Sequence, residues 1–426
     1  MEKNNIKYKA YIDILKKELV LAKGCTEPIA LAYCAAKARS VLGQIPDKVL
    51  VEVSGNIIKN CKSVVVPNTG GLKGIETAVA IGIIAGNEKL ELEVLKDISE
   101  KQITDFKNYL KENKIEIKKS DSNNLLDIKI EAYKGEDKAV VRICHKHTNI
   151  VYIQKNDEII LDKNEEEKGE TNALRYDLLT IEDIYDFAKS VNIKDIEEII
   201  KRQIDLNTVI SKDGLENSYG ANIGSTLLKL YGDDIRNVAK AKAAAGSDAR
   251  MNGSEYPVVV NSGSGNQGLT VSIPVIEYAK KFDIDDDTLY RALVVSNLCA
   301  IHQKSKIGYL SAFCGAVSAG AAAGAGIAFL KGGDYKDIAH TIVNALAITS
   351  GIICDGAKSS CAAKIAFSVE AGILGYEMYK MGEQFYGGDG VVSKGVEHTI
   401  ENIGHLGKVG MKETDKEILS IMTCFD

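Results

Sequence analysis

Four cysteines of this chain stand where a helix would begin or a turn would end. Cys25 lies in Gly24-Cys25-Thr26-Glu27-Pro28, ahead of a helix-start signal. Cys314 precedes Gly315 and the small-residue run Ala316 to Leu330. Cys354 occupies the turn Cys354-Asp355-Gly356, and Cys361 follows Ser359-Ser360 and opens a helix. A helix N-terminus offers free N–H groups and partial positive charge, which predicts a lowered thiol pKa. Thiolate is the form that binds zinc or an iron–sulfur cluster. The spacings, 40 residues from Cys314 to Cys354 and 7 from Cys354 to Cys361, match no CxxC pattern. Spacing alone therefore leaves a second reading open, of small apolar residues buried in close-packed helices.

A Gly/Ser loop offers anion chemistry. Asn261-Ser262-Gly263-Ser264-Gly265-Asn266-Gln267-Gly268 matches GxGxxG after a β-like segment and before a helix. A dinucleotide site would also need a second strand and an acidic residue about 20 positions on. Here Asp283 to Asp287 form a turn and Leu289 to Gln303 looks helical. The better reading is a smaller oxyanion, such as a substrate carboxylate, held by backbone N–H groups. Ser262, Ser264, Asn266 and Gln267 add side-chain groups. Arg250, in Ser247-Asp248-Ala249-Arg250, offers a carboxylate fork or else a structural ion pair with Asp248. Cys144-His145-Lys146-His147 does not complete a zinc tetrahedron. It reads as a strand end from which His147 reaches an active site.

The elements that must position these residues fall into distinct stretches. Residues 6–45 read as two helices split at Gly24, followed by a strand over Val49–Val53 and a helix from Ile75 to Gly86. Strands are expected near Leu90–Leu95, Ile115–Lys118, Leu126–Tyr133, Ala139–His145 and Asn149–Lys155, with a helix near Glu100–Lys114. From Thr180 onward the periodicity is helical, apart from Tyr256 to Val260. The expected fold class is α+β, a mainly helical catalytic domain with a smaller antiparallel α+β module. The expected domains are 1–87, N-terminal helices and short strands packing on the catalytic domain; 88–165, the α+β module; and 176–426, the helical domain.

Composition narrows the function class. The 426 residues are 45% hydrophobic and 26% charged, with net charge −6, as suits a globular protein that does not wrap nucleic acid. The start, Met1 to Lys23, lacks an apolar signal segment, and Leu310 to Leu330 reads as a helix buried in protein rather than a membrane span. Nine cysteines, an odd number, argue against a disulfide framework. A cytoplasmic protein is expected. Whether it is a monomer or a homo-oligomer is left open.

In order along the chain, six stretches carry a resemblance: Gly24-Cys-Thr-Glu-Pro28, His147-Thr-Asn-Ile-Val151, Ser247-Asp-Ala-Arg-Met251, the loop Asn261–Gly268, Leu310-Ser-Ala-Phe-Cys314, and Ile353-Cys-Asp-Gly-Ala357 with Ser360-Cys361. They resemble the iron–sulfur-dependent L-cysteine desulfidase family, which is related to the bacterial L-serine dehydratase alpha chain. The resemblance implies an oxygen-sensitive lyase converting L-cysteine and water to pyruvate, ammonia and hydrogen sulfide. It implies a [4Fe–4S] cluster on Cys314, Cys354 and Cys361, with one iron open as a Lewis acid, and no pyridoxal phosphate. Arg250 and the loop residues Ser262, Ser264, Asn266 and Gln267 would hold the substrate carboxylate. Cys25 would be the base or, alternatively, a fourth ligand, with His147 and His302 as further bases. Cys424 would either fold back onto the open iron or be a free surface thiol. The rivals are an L-serine dehydratase; a pyridoxal-phosphate lyase using Lys304, Lys306, Lys358 or Lys364; and a non-enzymatic iron–sulfur sensor. The sensor would need an interaction surface, and no basic run with interleaved aromatics is present.

Overall fold

The computed structural model describes residues 1–122, 124–163, 174–308 and 310–423. Its mainly helical α+β architecture is built on two hydrophobic cores. The larger belongs to the C-terminal helices and to Ile6–Glu18. At its centre lies Gly315–Leu330, packed against Gly265–Lys281, Asp286–Ile307, Tyr335–Thr349 and Cys361–Lys380. Alanine and glycine fill this helix because its neighbours come to backbone contact. A Cβ added at Gly324 would stand 2.4 Å from the Gly372 carbonyl oxygen, and one at Gly372 would stand 2.1 Å from that of Gly320. The small, apolar composition is thus that of a central packed helix. Among the described residues no helix is long and apolar enough to cross a membrane.

The smaller core lies between a six-stranded sheet and the helices Thr26–Leu42, Ile75–Ala85 and Glu100–Glu112. The strand order is Lys114–Lys119, Lys48–Val53, Asp127–Lys134, Asp137–Cys144, Ile150–Lys155, Glu158–Asp162. Val49, Val51 and Val53 alternate into the core, as do Ile128, Ile130 and Ala132 on the next strand. Lys114–Lys119 runs parallel to Lys48–Val53, while all other neighbours are antiparallel. The parallel pair follows from the connection between them, which crosses the sheet through the helices Ile75–Ala85 and Glu100–Glu112. The sheet therefore spans both sides of residue 87, and residues 26–85 share its core.

One expected strand differs, and one strand is found that was not expected. Leu90–Leu95 is mostly the 3-10 segment Glu88–Glu93, started by the Asn87 side chain accepting from the Lys89 N–H; Leu90 is exposed. Glu158–Asp162 is an additional edge strand, turned back at Asn156 with φ 50°. A separate two-stranded ribbon pairs Leu21–Lys23 with Pro257–Val259, Leu21 facing Val259. It sets Cys25 beside the Gly/Ser loop that follows Val259.

Candidate functional site

Cys25 is the N-cap residue of Thr26–Leu42, and Pro28 is that helix's third residue rather than its first. The side chain is buried and its Sγ–H donates to Glu27 Oε2 at 3.2 Å. The other oxygen, Oε1, accepts from Asn60 Nδ2 at 2.9 Å and lies 4.0 Å from His147 Nε2. His147 stands in the turn after the strand ending at Cys144, as its sequence context suggests. The expected low pKa of Cys25 does not hold. Burial, and then the Glu27 carboxylate, push the thiol well above its ordinary value, against the opposing pull of the Arg250 cation. The helix terminus is outweighed because a thiolate here would be desolvated beside a like charge. Burial also works against ionising Glu27, but His147 and the Cys25 thiol outweigh it and hold the carboxyl at about 2.

The Gly/Ser loop meets this corner directly. Thr26 Oγ1 donates to the Gly263 carbonyl at 3.3 Å. Ser262 (φ 50°) and Gly263 (φ 74°) are both left-handed, a conformation that turns successive N–H groups toward one side. Ser264 caps the helix Gly265–Lys281 by accepting from the Gln267 N–H, and Ser262 Oγ donates to Asn261 Oδ1. The glycines have packing roles. A Cβ at Gly265 would stand 2.3 Å from Arg250 Nε, and one at Gly268 would stand 2.1 Å from the Val259 carbonyl oxygen. The next element is the helix Asp286–Ile307, so the loop belongs to no βαβ unit. Arg250, 3% exposed, donates from Nη1 to Asn266 Oδ1 at 3.2 Å. It is not paired with Asp248, whose Oδ2 instead accepts from the Ile223 N–H at 2.7 Å. Arg250 Nε, Gln267 Oε1 and His147 Nε2 are buried without a hydrogen-bond partner. Unpaired buried polar atoms are costly, and clustered ones mark a place for a polar ligand.

Gln267 links the loop to the cysteines. Its amide lies over Gly315, 2.7 Å from where a Cβ would sit, next to Cys314. Cys314 caps the central helix Gly315–Leu330, and Cys361 is the first residue of Cys361–Lys380. Cys354 is brought alongside by a bridge between Phe313 and Ile353, with the Cys314 N–H donating to the Ile352 carbonyl at 3.1 Å. Cys354 and Cys361 both act electrostatically on Cys314, whose thiol is pushed up to about 12 by burial and by Cys354. Burial also raises Cys361. Here too the lowered thiol pKa expected of Cys314 and Cys361 is absent, because desolvation opposes ionising either of them. Ala357 packs against Cys25, Val64 and Met251, so the Cys354 loop touches the Cys25 corner.

Three thiols, those of Cys314, Cys354 and Cys361, are the ligand type that an iron–sulfur cluster takes. Among the described residues no three His, Cys, Asp or Glu close around one metal. Each thiol on a cluster binds its own iron, so the thiols stand further apart than on zinc. Cations surround the corner. Lys358 Nζ reaches Asp355 Oδ1 at 2.5 Å, Lys364 reaches the same oxygen, and Lys59 pairs with Asp415. The Lys59 carbonyl oxygen stands 2.2 Å from where a Cβ at Gly356 (φ +93°) would be. Buried Lys304 feels Cys354 and Cys314.

His302 falls elsewhere: its Nε2 meets Glu397 Oε2 at 2.6 Å. Cys424 lies outside the described residues, and the eight described cysteines are free thiols. Glu27 and Asn60 were not singled out from sequence. The signal for Glu27 was the Cys-x-Glu spacing inside a motif already noted for its cysteine.

A family model described as serine dehydratase alpha chain matches residues 89–420. A UPF0597 protein of Desulfitobacterium hafniense is 58% identical, covering 99% of this chain and 98% of that protein. A UPF0597 protein of Lachnoclostridium phytofermentans is 51% identical over 97% of this chain and 99% of its own length. One from Treponema denticola is 48% identical over 99% of each. The chain belongs to the serine dehydratase alpha chain family.

Proposed function

We propose that this protein is an L-cysteine desulfidase, a carbon–sulfur lyase of the cytoplasm that carries a [4Fe–4S] cluster. The observation that supports it most is convergence. A thiol–carboxylate pair, a guanidinium with a left-handed Ser-Gly loop, and three cysteines from separate segments face one another. Cys314, Cys354 and Cys361 are the residues that would hold the cluster. When bound, its open iron supplies a Lewis acid suited to a departing sulfur.

The chain's own groups account for the rest. Arg250 and the Ser262–Gln267 loop hold the substrate carboxylate. Cys25, its Sγ–H on Glu27 Oε2, is the group that takes the Cα proton once its own proton has been given up. His147, 4.0 Å from Glu27 Oε1, stabilises that carboxylate and lies on the proton's way out. Cleavage of the C–S bond then leaves aminoacrylate, which tautomerises and hydrolyses to pyruvate and ammonia, with sulfide as the other product.

The family's name supports a second reading, L-serine dehydratase, on the same residues with water as leaving group. Anaerobically purified protein should release sulfide and pyruvate from L-cysteine with a higher kcat/KM than pyruvate from L-serine. A dominant serine activity replaces the first reading with the second. Borohydride trapping of substrate on a lysine would overturn both in favour of pyridoxal phosphate.

A further inference from the structure

One short helix, Gly55–Cys61, joins the Cys25 corner to a cavity of about 190 Å³. Toward the corner, Asn60 Nδ2 donates to Glu27 Oε1 at 2.9 Å, and the Lys59 carbonyl oxygen meets Gly356 in the turn after Cys354. Toward the cavity it presents Asn56 and Lys59. The rest of the lining comes from the end of the edge strand Lys114–Lys119 with the loop after it, and from the C-terminal helix Lys412–Thr423. That last helix sits directly on the short one. A Cβ at Gly55 would stand 2.3 Å from Leu419 Cδ2, Lys62 Nζ donates to the Met422 carbonyl at 2.6 Å, and Lys59 pairs with Asp415.

The lining has a chemical bias. Each of the three segments brings a lysine, Lys59, Lys119 and Lys416, against the single carboxylate of Asp415 among the described residues. Lys59 takes that carboxylate, Lys416 pairs with exposed Glu413, and exposed Lys119 makes no ion pair among the described residues. Asn56 is 7% exposed, and its Oδ1 is buried without a hydrogen-bond partner. A buried carbonyl lacking a donor is costly. The lysines call for negative charge and the Asn56 oxygen for an O–H. The volume is below the roughly 300–1,000 Å³ of a pocket for a drug-sized ligand, so the occupant has few heavy atoms.

We propose that this cavity binds a small hydroxylated oxyanion, the chemistry of hydrogen phosphate or of a short hydroxy acid, and that the ligand acts on the Cys25 corner through the helix Gly55–Cys61. The anion meets lysines from three segments at once and so holds the helix between them. That fixes Asn60 on Glu27 and the Lys59 carbonyl against the Cys354 turn. Any effect on turnover rests on the reading of the Cys25 corner given above, whereas the binding does not.

Calorimetric titration of the full-length protein with phosphate, lactate and sulfate, at fixed ionic strength, tests the site. Phosphate or lactate should saturate at one site per chain, and the one that does so identifies the source. Sulfate, which has no O–H at neutral pH, should bind roughly tenfold more weakly than that ligand. Lys119→Glu, at an exposed position, should weaken binding by about tenfold or more. Lys229→Glu, the same charge change at an exposed position of the helix Ile223–Tyr231, should leave it unaltered. Ligand should slow hydrogen exchange over residues 55–61 and 26–30 in wild type and not in Lys119→Glu. Absence of saturable binding, or equal binding by Lys119→Glu, overturns the proposal. Sulfate binding as tightly as the better ligand overturns the role given to Asn56, and binding without slower exchange over 26–30 overturns the link to Cys25. None of these readouts depends on L-cysteine turnover, so the proposal and the desulfidase reading fail separately.

Discussion

The two halves of the site differ in how their charges are balanced. In the Cys25 corner the one carboxylate is fully engaged. Glu27 accepts from Cys25 and Asn60 and faces His147, and the thiol stays neutral. In the Cys314–Cys354–Cys361 corner the lysines outnumber the carboxylates. Asp355 serves two of them, Lys358 and Lys364. The first corner holds its carboxyl low beside a thiol pushed well above its ordinary value. The second gathers Lys358, Lys364 and Lys59 against Asp355 and Asp415.

Replacing the cysteines breaks this contrast most severely. Cys314→Ala, Cys354→Ala and Cys361→Ala should each abolish bound iron and all turnover, read by iron analysis and sulfide release. The neutral corner should respond differently. Cys25→Ala and Glu27→Gln should keep full iron content and lose roughly 10²–10⁴-fold in kcat. Iron loss in Cys25→Ala would make Cys25 a ligand instead.

Smaller effects test the scaffold beneath both corners. Gly372→Ala puts a methyl against the Gly320 carbonyl and should cost about 1–3 kcal/mol in urea denaturation. The smallest effect concerns two buried carboxyls that titrate in opposite senses. Glu27, held at about 2, contributes stability that is complete above its ordinary 4.5 and is lost as pH falls toward 2. Asp248 is pushed up to about 6 by burial, against backbone N–H groups including that of Ile223. The folded state therefore keeps the Asp248 proton longer than the unfolded chain, and stability falls as pH rises from 3.8 to 6. Asp248→Asn should flatten that decline in a pH series of melting temperatures, while an Asn oxygen can still accept from Ile223.

The long elements and the positions of the cysteines were legible in the sequence. Helix-start signals placed Cys25, Cys314 and Cys361 at helix N-termini, where they are found. Their ionisation was not legible, because it depends on burial and on neighbours distant in sequence. The same holds for Arg250, which local reading offers to Asp248 but which tertiary packing gives to Asn266. The strand expected at Leu90–Leu95 failed because a short apolar run with an Asn cap serves a 3-10 turn as well as a strand. The parallel pairing of Lys114–Lys119 is a matter of topology, set by which way the chain crosses the sheet.

The ribbon joining Leu21–Lys23 to Pro257–Val259 bears on the order in which this protein comes into being. During synthesis the segment carrying Cys25 emerges more than half a chain length ahead of its strand partner, and the three remaining thiols come later still. A growing polypeptide thus presents Cys25 before the loop and the three cysteines it will face have been made. Long-range pairings of this kind form late. A cluster held as proposed could accordingly be received only by a nearly finished chain.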